Sequence, residues 1–472
     1  MKHRIRKIVS MLLCGLLLFS AVACGGTGNN MDDSNTDGTN TDNSVDGGNA
    51  DTGNGDETPN VEVPPAETLG EYEFKEREIQ MVGQTYTDGL ITYPDELWNT
   101  PEYEYCTDLD YGNVGDVKGL FITSPVRYNG KKTKIAAYIG FPENASAENK
   151  VPAIVLVHGG LGTAVPDWVK YWNDMGFAAI SIDTEGGEPI SGVNNYSTVH
   201  KERNRYENDE TYTCGPTNVG FSDYESDMEN QWMYHATSAT IVATSLLASF
   251  DCVNTQKMGI TGISWGGMIT SIVCGYDDRL SFGIPVYGAL SLKESCSGFR
   301  TIYGNDISAQ RWDTLEPLEQ SDCKMFYVNG ITDPAFSMDA SSRSSKAAKG
   351  FALYKKGFTH GQEYGAYESN IPFFAKYFCG MESEYVEILQ HPKKNDTAFT
   401  YRTYGEVDIV SVKLHYTASA RTNDEAVWKT KTIKLVDGVT SYAFNVPEEA
   451  KHYYIHITYN HNLEVSSYIV SL

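Results

Sequence analysis

Positive charge is scarce in this sequence. Lys and Arg number 37 against 62 Asp and Glu, a net charge of −25. A surface this acidic repels phosphate backbones, which excludes function classes built on nucleic acid. Long hydrophobic runs are scarce too. After Ile8–Ala23, no segment approaches the roughly 20 apolar residues that a membrane-spanning helix needs. Paired cysteine motifs are missing. None of the 9 cysteines stands in a Cys-x-x-Cys pair, which argues against a zinc or dithiol redox site. Seven follow Cys24, an odd number that leaves at least one unpaired, and their spacing fixes no pairing.

Apolar residues are nearly absent from 25–66, where Asn, Asp, Gly, Thr and Ser dominate. Such a segment cannot bury enough surface to offset its ordering entropy, so it reads as a disordered tether. It follows an export signal, 1–24: Lys2, Arg4, Arg6 and Lys7, then the apolar Ile8–Ala23. Ser20-Ala21-Val22-Ala23-Cys24 resembles a bacterial lipoprotein box, in which the cysteine is lipidated. The expectation is a chain held to the outer side of the membrane through Cys24.

The chain from 67 to 383 alternates strand and helix signals. Val117–Thr123 and Thr133–Phe141 read as strands around the turn Asn129-Gly130. Val151–Val157 is a continuous apolar run, the mark of a strand buried on both faces of a mostly parallel sheet. A helix, Pro166–Met175, and a strand, Phe177–Asp183, complete a βαβ rhythm. Thr184–Glu225 is polar and glycine-rich, an excursion over the carboxyl end of the sheet. Ser226-Asp227-Met228-Glu229 has the form of a capping box opening a helix that runs to about Ser249. Further strands are expected at Phe282–Tyr287, Lys324–Val328 and Phe351–Lys355, with helices at Ser337–Lys349 and Ile371–Phe378. Residues 384–472 change texture, with short alternating segments at Val407–Tyr416, Lys429–Leu435, Ser441–Val446, His452–Tyr459 and Ser466–Leu472. They read as a small immunoglobulin-like β-sandwich.

The chemistry centres on Gly262-Ile263-Ser264-Trp265-Gly266-Gly267, where an apolar strand breaks into Gly-x-Ser-x-Gly and continues as a helix. That is the sequence form of a nucleophile elbow, with the serine oxygen raised above the sheet. A serine nucleophile needs a base, and the base an orienting carboxylate. Asp333 follows the strand Lys324–Val328 and His360 follows Phe351–Lys355, so both fall where a strand hands over to a loop. Capping the helix that starts near Pro334 is a competing role for Asp333; Asp278 and Asp339 are less well placed as orienters. His158 belongs to an early loop, His200 to the excursion, His235 to a helix, and the other histidines to the last domain. Backbone N–H groups of Gly160, in His158-Gly159-Gly160, and of Trp265 are the candidate oxyanion donors.

With these residues in place, 117–378 resembles the secreted acetylxylan-esterase and dienelactone-hydrolase-like branch of the α/β-hydrolases. The likeness rests on Asn129-Gly130-Lys131-Lys132-Thr133, Leu156-Val157-His158-Gly159-Gly160, Trp232-Met233-Tyr234-His235-Ala236, Gly262-Ile263-Ser264-Trp265-Gly266-Gly267, Asp277-Asp278-Arg279 and Val328-Asn329-Gly330 with Asp333. It implies an α/β-hydrolase fold and serine-dependent ester hydrolysis, often deacetylation of plant polysaccharide, with no metal or organic cofactor. Many relatives carry a second histidine two residues after the catalytic one; here that position is Gln362.

The expected partners are a small ester or acetylated polysaccharide and, through the lipid anchor, a membrane. Two alternatives remain. The same triad serves a serine peptidase or aminopeptidase-like hydrolase. A surface lipoprotein could also hold glycan without catalysis, stacking sugar on Tyr196, Tyr206, Tyr212 and Tyr224 of the excursion.

Overall fold

Seven apolar residues in a row, Val151–Val157, become a strand with every side chain buried, and the rest of the central sheet is built outward from it. The computed structural model describes residues 74–84, 91–107, 109, 115–187, 205–302, 306–382 and 384–472. The export signal, Cys24 and the 25–66 tether lie outside the described residues, as do Tyr196 and His200.

In chain order the strands are β1 (Tyr103–Tyr105), β2 (Lys118–Tyr128), β3 (Lys131–Gly140), β4 (Val151–Val157), β5 (Ala178–Ile182), β6 (Tyr212–Thr213), β7 (Val253–Ile263), β8 (Leu280–Val286), β9 (Lys324–Gly330) and β10 (Phe351–Lys355). The principal helices between and after them are α1 (Pro166–Asp174), α2 (Trp232–Ala248), α3 (Trp265–Tyr276), α4 (Met338–Ala347), α5 (Gln362–Ala366) and α6 (Asn370–Phe378). The strands lie in the order β1-β2-β3-β5-β4-β7-β8-β9-β10. From β5 through β10 every neighbouring pair is parallel, as the unbroken apolar runs require. β2 and β3 pair antiparallel around Asn129 and Gly130, which both take positive φ, the conformation a two-residue hairpin demands.

Eight further strands follow: β11 (Tyr385–Gln390), β12 (Ala398–Tyr404), β13 (Ile409–Thr417), β14 (Lys429–Ile433), β15 (Ser441–Ala443), β16 (His452–Tyr459), β17 (Leu463–Ser466) and β18 (Val470–Ser471). Strands β11, β12 and β15 form a separate three-stranded sheet. It faces β13, β16 and β17 across a second apolar core that includes Val386, Phe399, Leu414, Ile455 and Val465. The larger sheet is continuous, because β17 pairs antiparallel with β10 at Ala352 and Ser466. The whole is an α/β-hydrolase fold with an antiparallel sandwich at its C-terminal end.

Helix α2 begins later than the capping-box pattern suggests. Residues 228–230 make a short 3-10 turn, and Gln231 is extended at φ −83° and ψ 139°, so the helix cannot start before Trp232. The Trp232 N–H is accepted by Asp223 Oδ2 at 2.6 Å, a cap delivered from nine residues upstream. Strands β1, β11 and β12 were not anticipated from the pattern.

Candidate active site

Ser264 joins β7 to α3 at φ 56° and ψ −115°, a strained conformation for a residue with a side chain. Two glycines permit the turn. A Cβ on Gly262 would lie 2.1 Å from the Gly266 carbonyl oxygen, and one on Gly266 would lie 2.1 Å from that of Val157. The Ser264 N–H is tied to the Val286 carbonyl at 2.8 Å, which pins the turn to β8.

The three residues expected to act together do meet. His360 Nε2 is 2.9 Å from Ser264 Oγ, and His360 Nδ1 is 2.7 Å from Asp333 Oδ2. A carboxylate only accepts, so Nδ1 carries the proton and Nε2 is left to accept the serine O–H. Asp333 is fully buried at its side chain, whereas 23% of that of His360 is exposed. A substrate can therefore reach the imidazole while its orienter stays dry. The ring is held by Tyr287, 4.8 Å away between centroids, whose hydroxyl donates to the Thr359 carbonyl at 2.7 Å. Burial pushes the Tyr287 phenol well above its ordinary range, so it stays a donor.

The loop after β4 supplies backbone donors. The Gly159 N–H is engaged by Gln362 Oε1 at 3.1 Å, and the Leu161 N–H by Glu185 Oε1 at 2.8 Å. The Gly160 N–H between them has no acceptor among the described residues, and neither has the Trp265 N–H. A Cβ on Gly160 would lie 2.5 Å from Trp265 Cδ1, so a side chain at this position would collide with the Trp265 indole. His158 is buried and structural: Nδ1 donates to the Gly159 carbonyl at 2.6 Å, and Nε2 accepts the Thr184 N–H at 3.0 Å.

Aromatic rings wall the nucleophile. Trp265 stacks on Phe299 at 5.7 Å and meets Trp232 edge-on at 5.3 Å, while Phe336 lies parallel to His360 at 6.3 Å. The excursion reaches the site through Phe221, 5.6 Å from Trp265. Its tyrosines Tyr206 and Tyr212 pack on the sheet instead, against Phe121 and under Lys134 respectively. Among the described residues no group of three or more His, Cys, Asp or Glu side chains is placed to hold a metal ion.

Two residues with direct roles here had no motif to announce them. Glu185 is buried and accepts from Leu161 with one oxygen and from the Asn218 N–H with the other at 3.0 Å. It thereby holds Leu161 at φ 64° and fastens the excursion to the loop after β4. Burial raises its pKa. Gln362, noted in the sequence only as a departure from related chains, bridges that loop to the histidine loop. The motif residues Asp277 and Arg279 serve the fold, as a buried ion pair at 2.6 Å.

Comparison with known proteins finds likeness over part of the chain. Residues 123–294 match the model of the family Acetyl xylan esterase (AXE1), a stretch that holds Gly160, Ser264 and Trp265 and stops before Asp333 and His360. A probable dipeptidyl-peptidase 5 of Aspergillus terreus (strain NIH 2624 / FGSC A1156) is 35% identical over 156 residues, 32% of this chain and 18% of that protein. The match thus spans under a fifth of the relative. Among solved structures, an acetyl xylan esterase from Paenibacillus sp. R4 is 18% identical, over 58% of this chain and 88% of that one, with a TM-score of 0.40. A puromycin-hydrolyzing peptidase of Mycobacterium tuberculosis is also 18% identical, over 61% of this chain and 41% of that one, with a TM-score of 0.40. Residues 123–294 are thus similar to the acetyl xylan esterase family, on a chain whose own sheet and elbow have the α/β-hydrolase topology.

Proposed function

We propose that this chain is an extracytoplasmic serine carboxylesterase, lipid-anchored through Cys24, that removes acetyl groups from carbohydrate. The observation that carries the catalytic reading is the unbroken hydrogen-bonded series from Ser264 Oγ through His360 to Asp333, at 2.9 and 2.7 Å. The family match over 123–294 supports ester hydrolysis and an acetylated substrate.

His360 Nε2 takes the proton of Ser264 as Oγ attacks the acyl carbonyl. Asp333 keeps the imidazole in the tautomer that can accept and stabilises the imidazolium that forms. The N–H groups of Gly160 and Trp265 receive the negative charge that develops on the carbonyl oxygen. They are fixed in advance, so no reorganisation accompanies the reaction. As the bond to the sugar oxygen breaks, His360 gives the proton to that oxygen, which departs as a hydroxyl and leaves an acetyl-serine. Water attacks that ester with His360 again as base, releasing acetate and restoring the serine.

The test is acetate release from acetylated xylan, pectin, chitin fragments and simple aryl esters. Ser264→Ala should lower kcat by about 10⁵–10⁶-fold with thermal stability retained. Absence of Ser264-dependent acetate release from every ester would remove the reading. A fluorophosphonate should label Ser264 in the folded protein; no labelling would favour the glycan-holding alternative. The peptidase alternative is kept alive by the similarity to a probable dipeptidyl-peptidase 5, and peptide turnover exceeding ester turnover would select it.

A further inference from the structure

Residues 159–162 form a β-turn, because the Gly162 N–H returns to the Gly159 carbonyl at 3.1 Å. Its central residues are Gly160 and Leu161, and Leu161 takes φ 64°. A positive φ at the third position marks a type II turn, where glycine is at ease and a side chain is crowded. A leucine there has to be held. The holder is Glu185, whose Oε1 accepts the Leu161 N–H at 2.8 Å. Its Oε2 accepts the Asn218 N–H at 3.0 Å, so both oxygens of a residue only 5% exposed are committed. Glu185 is itself anchored to the sheet: its N–H donates to Asp183 Oδ1 at 2.9 Å, and the Asp183 N–H donates to the Ala136 carbonyl of β3 at 2.8 Å. Burial and Asp183 work against its charge, while His158 and the two N–H groups favour it. A buried carboxylate on such terms is a costly way to brace a loop.

We propose that Glu185 is a positioning residue for ester hydrolysis, which keeps the Gly160 N–H set for the acyl oxygen by locking the turn in its type II form. The inference rests on the esterase reading and extends it to a residue outside the triad. Such a turn has a near alternative. The peptide between its central residues can flip by about 180°, which converts type II to type I and returns the third residue to negative φ. For Leu161 that flip relieves strain. It also takes the Leu161 N–H away from Glu185 and puts the Gly160 carbonyl oxygen in its place, facing a carboxylate. Glu185 thereby makes the strained form the stable one. The Gly160 N–H is the second amide of the same turn and adjoins the flipping peptide, so its direction is set with the turn. An oxyanion donor is effective because it is fixed before the charge develops.

The experiment compares wild type, Glu185→Gln and the double variant Glu185→Gln with Leu161→Gly on O-acetylated xylo-oligosaccharide and on 4-nitrophenyl acetate. Glutamine has one acceptor oxygen for two N–H groups, and its NH₂ meets the other as donor against donor. Glu185→Gln should lower kcat by roughly 10²-fold with little change in KM, and equally on both substrates, because both develop the same oxyanion. Glycine at 161 takes positive φ without strain, so the double variant should recover about tenfold of that loss. Rates are taken per Ser264 labelled by a fluorophosphonate, and melting temperatures are recorded alongside, so a smaller folded fraction does not pass for lower kcat. If the glutamine variants do not fold, Glu185→Asp carries the comparison: it keeps the charge but falls one methylene short, and the same loss and the same rescue are expected. An unchanged kcat per labelled serine would reduce Glu185 to a loop brace and overturn the inference. So would a loss confined to KM or to one substrate, or a loss that Leu161→Gly does not relieve. Wild-type protein that releases acetate from neither substrate would instead overturn the esterase reading, and this inference with it.

Discussion

Asp333 divides its carboxylate between two neighbours. Oδ1 accepts the N–H groups of Ala335 and Phe336 at 2.9 and 2.7 Å, while Oδ2 meets His360 at 2.7 Å. No helix starts at Pro334, the next one being α4 from Met338, so Asp333 caps none; its Oδ1 instead closes the turn 333–336 while its Oδ2 orients the ring. Asp333→Asn should therefore keep the fold and lose the chemistry. The asparagine oxygen can stay on the two N–H groups, which leaves its NH₂ facing Nδ1–H, donor against donor. The imidazole escapes by moving its proton to Nε2, the tautomer that cannot accept from Ser264. A drop in kcat of about 10⁴-fold with an unchanged melting temperature is expected, read by steady-state kinetics and calorimetry; a loss below tenfold would contradict the assignment. These three side chains were legible in the sequence because each sits at a strand end, and strand ends announce themselves by composition. Glu185 and Gln362 were not, because their partners are backbone N–H groups brought near by other loops, and no spacing rule encodes such a meeting.

At the scale of elements, the elbow is the most constrained piece of chain. The Gly266 position touches the Val157 carbonyl, and that strand end carries the oxyanion loop. Gly266→Ala would push a methyl to 2.1 Å from a backbone oxygen that is itself pinned in the sheet. The neighbour cannot yield as a flexible side chain would. We expect a stability loss of about 3 kcal/mol or more and an esterase activity that falls further than stability alone explains, because β4 and its oxyanion loop move. Denaturant melts paired with activity assays at low temperature would check both; a variant as stable as wild type would refute the close approach. The parallel strands β4, β5, β7 and β8 were readable as apolar runs. Strand β11 was not: it bulges between Ile388 and Gln390 and leaves Leu389 exposed, so its alternation fails. The join between the two halves was equally hidden. It runs through Lys355 at the end of β10, which pairs with Glu368 at 2.6 Å and with Glu464 of β17 at 3.0 Å. Charged residues a hundred positions apart give no local signal that they will meet.

For the whole molecule the buried histidines set an acid limit. His235, His391 and His415 are each held down to about 4 from an ordinary 6.5, chiefly by burial, with Lys346 adding to the effect at His391 and His456 and Lys413 at His415. Between those values the unfolded chain binds protons that the folded chain refuses, so stability rises with pH across the window. The contribution is fully present above about 6.5 and is lost as pH falls toward 4. Each group is worth on the order of 2–3 kcal/mol at full protonation. Glu464 adds a second, lower window. Burial alone would raise it, but His456 and Lys355 outweigh burial and hold it at about 2, so its share is lost only between about 4.5 and 2. His415 lies in β13 and His391 just after β11, and His391 also accepts the Tyr468 N–H at 3.1 Å through Nδ1, a bond that protonation removes. Calorimetry at pH 7, 5.5 and 4 should therefore show the melting temperature falling by on the order of 10 °C, most steeply below pH 6. His391→Gln, which cannot titrate, should reduce that fall by about a third. A melting temperature that stays level from pH 7 to 4.5 would mean that the three imidazoles are open to water, and with that the tight packing of the sandwich against the hydrolase sheet would be wrong.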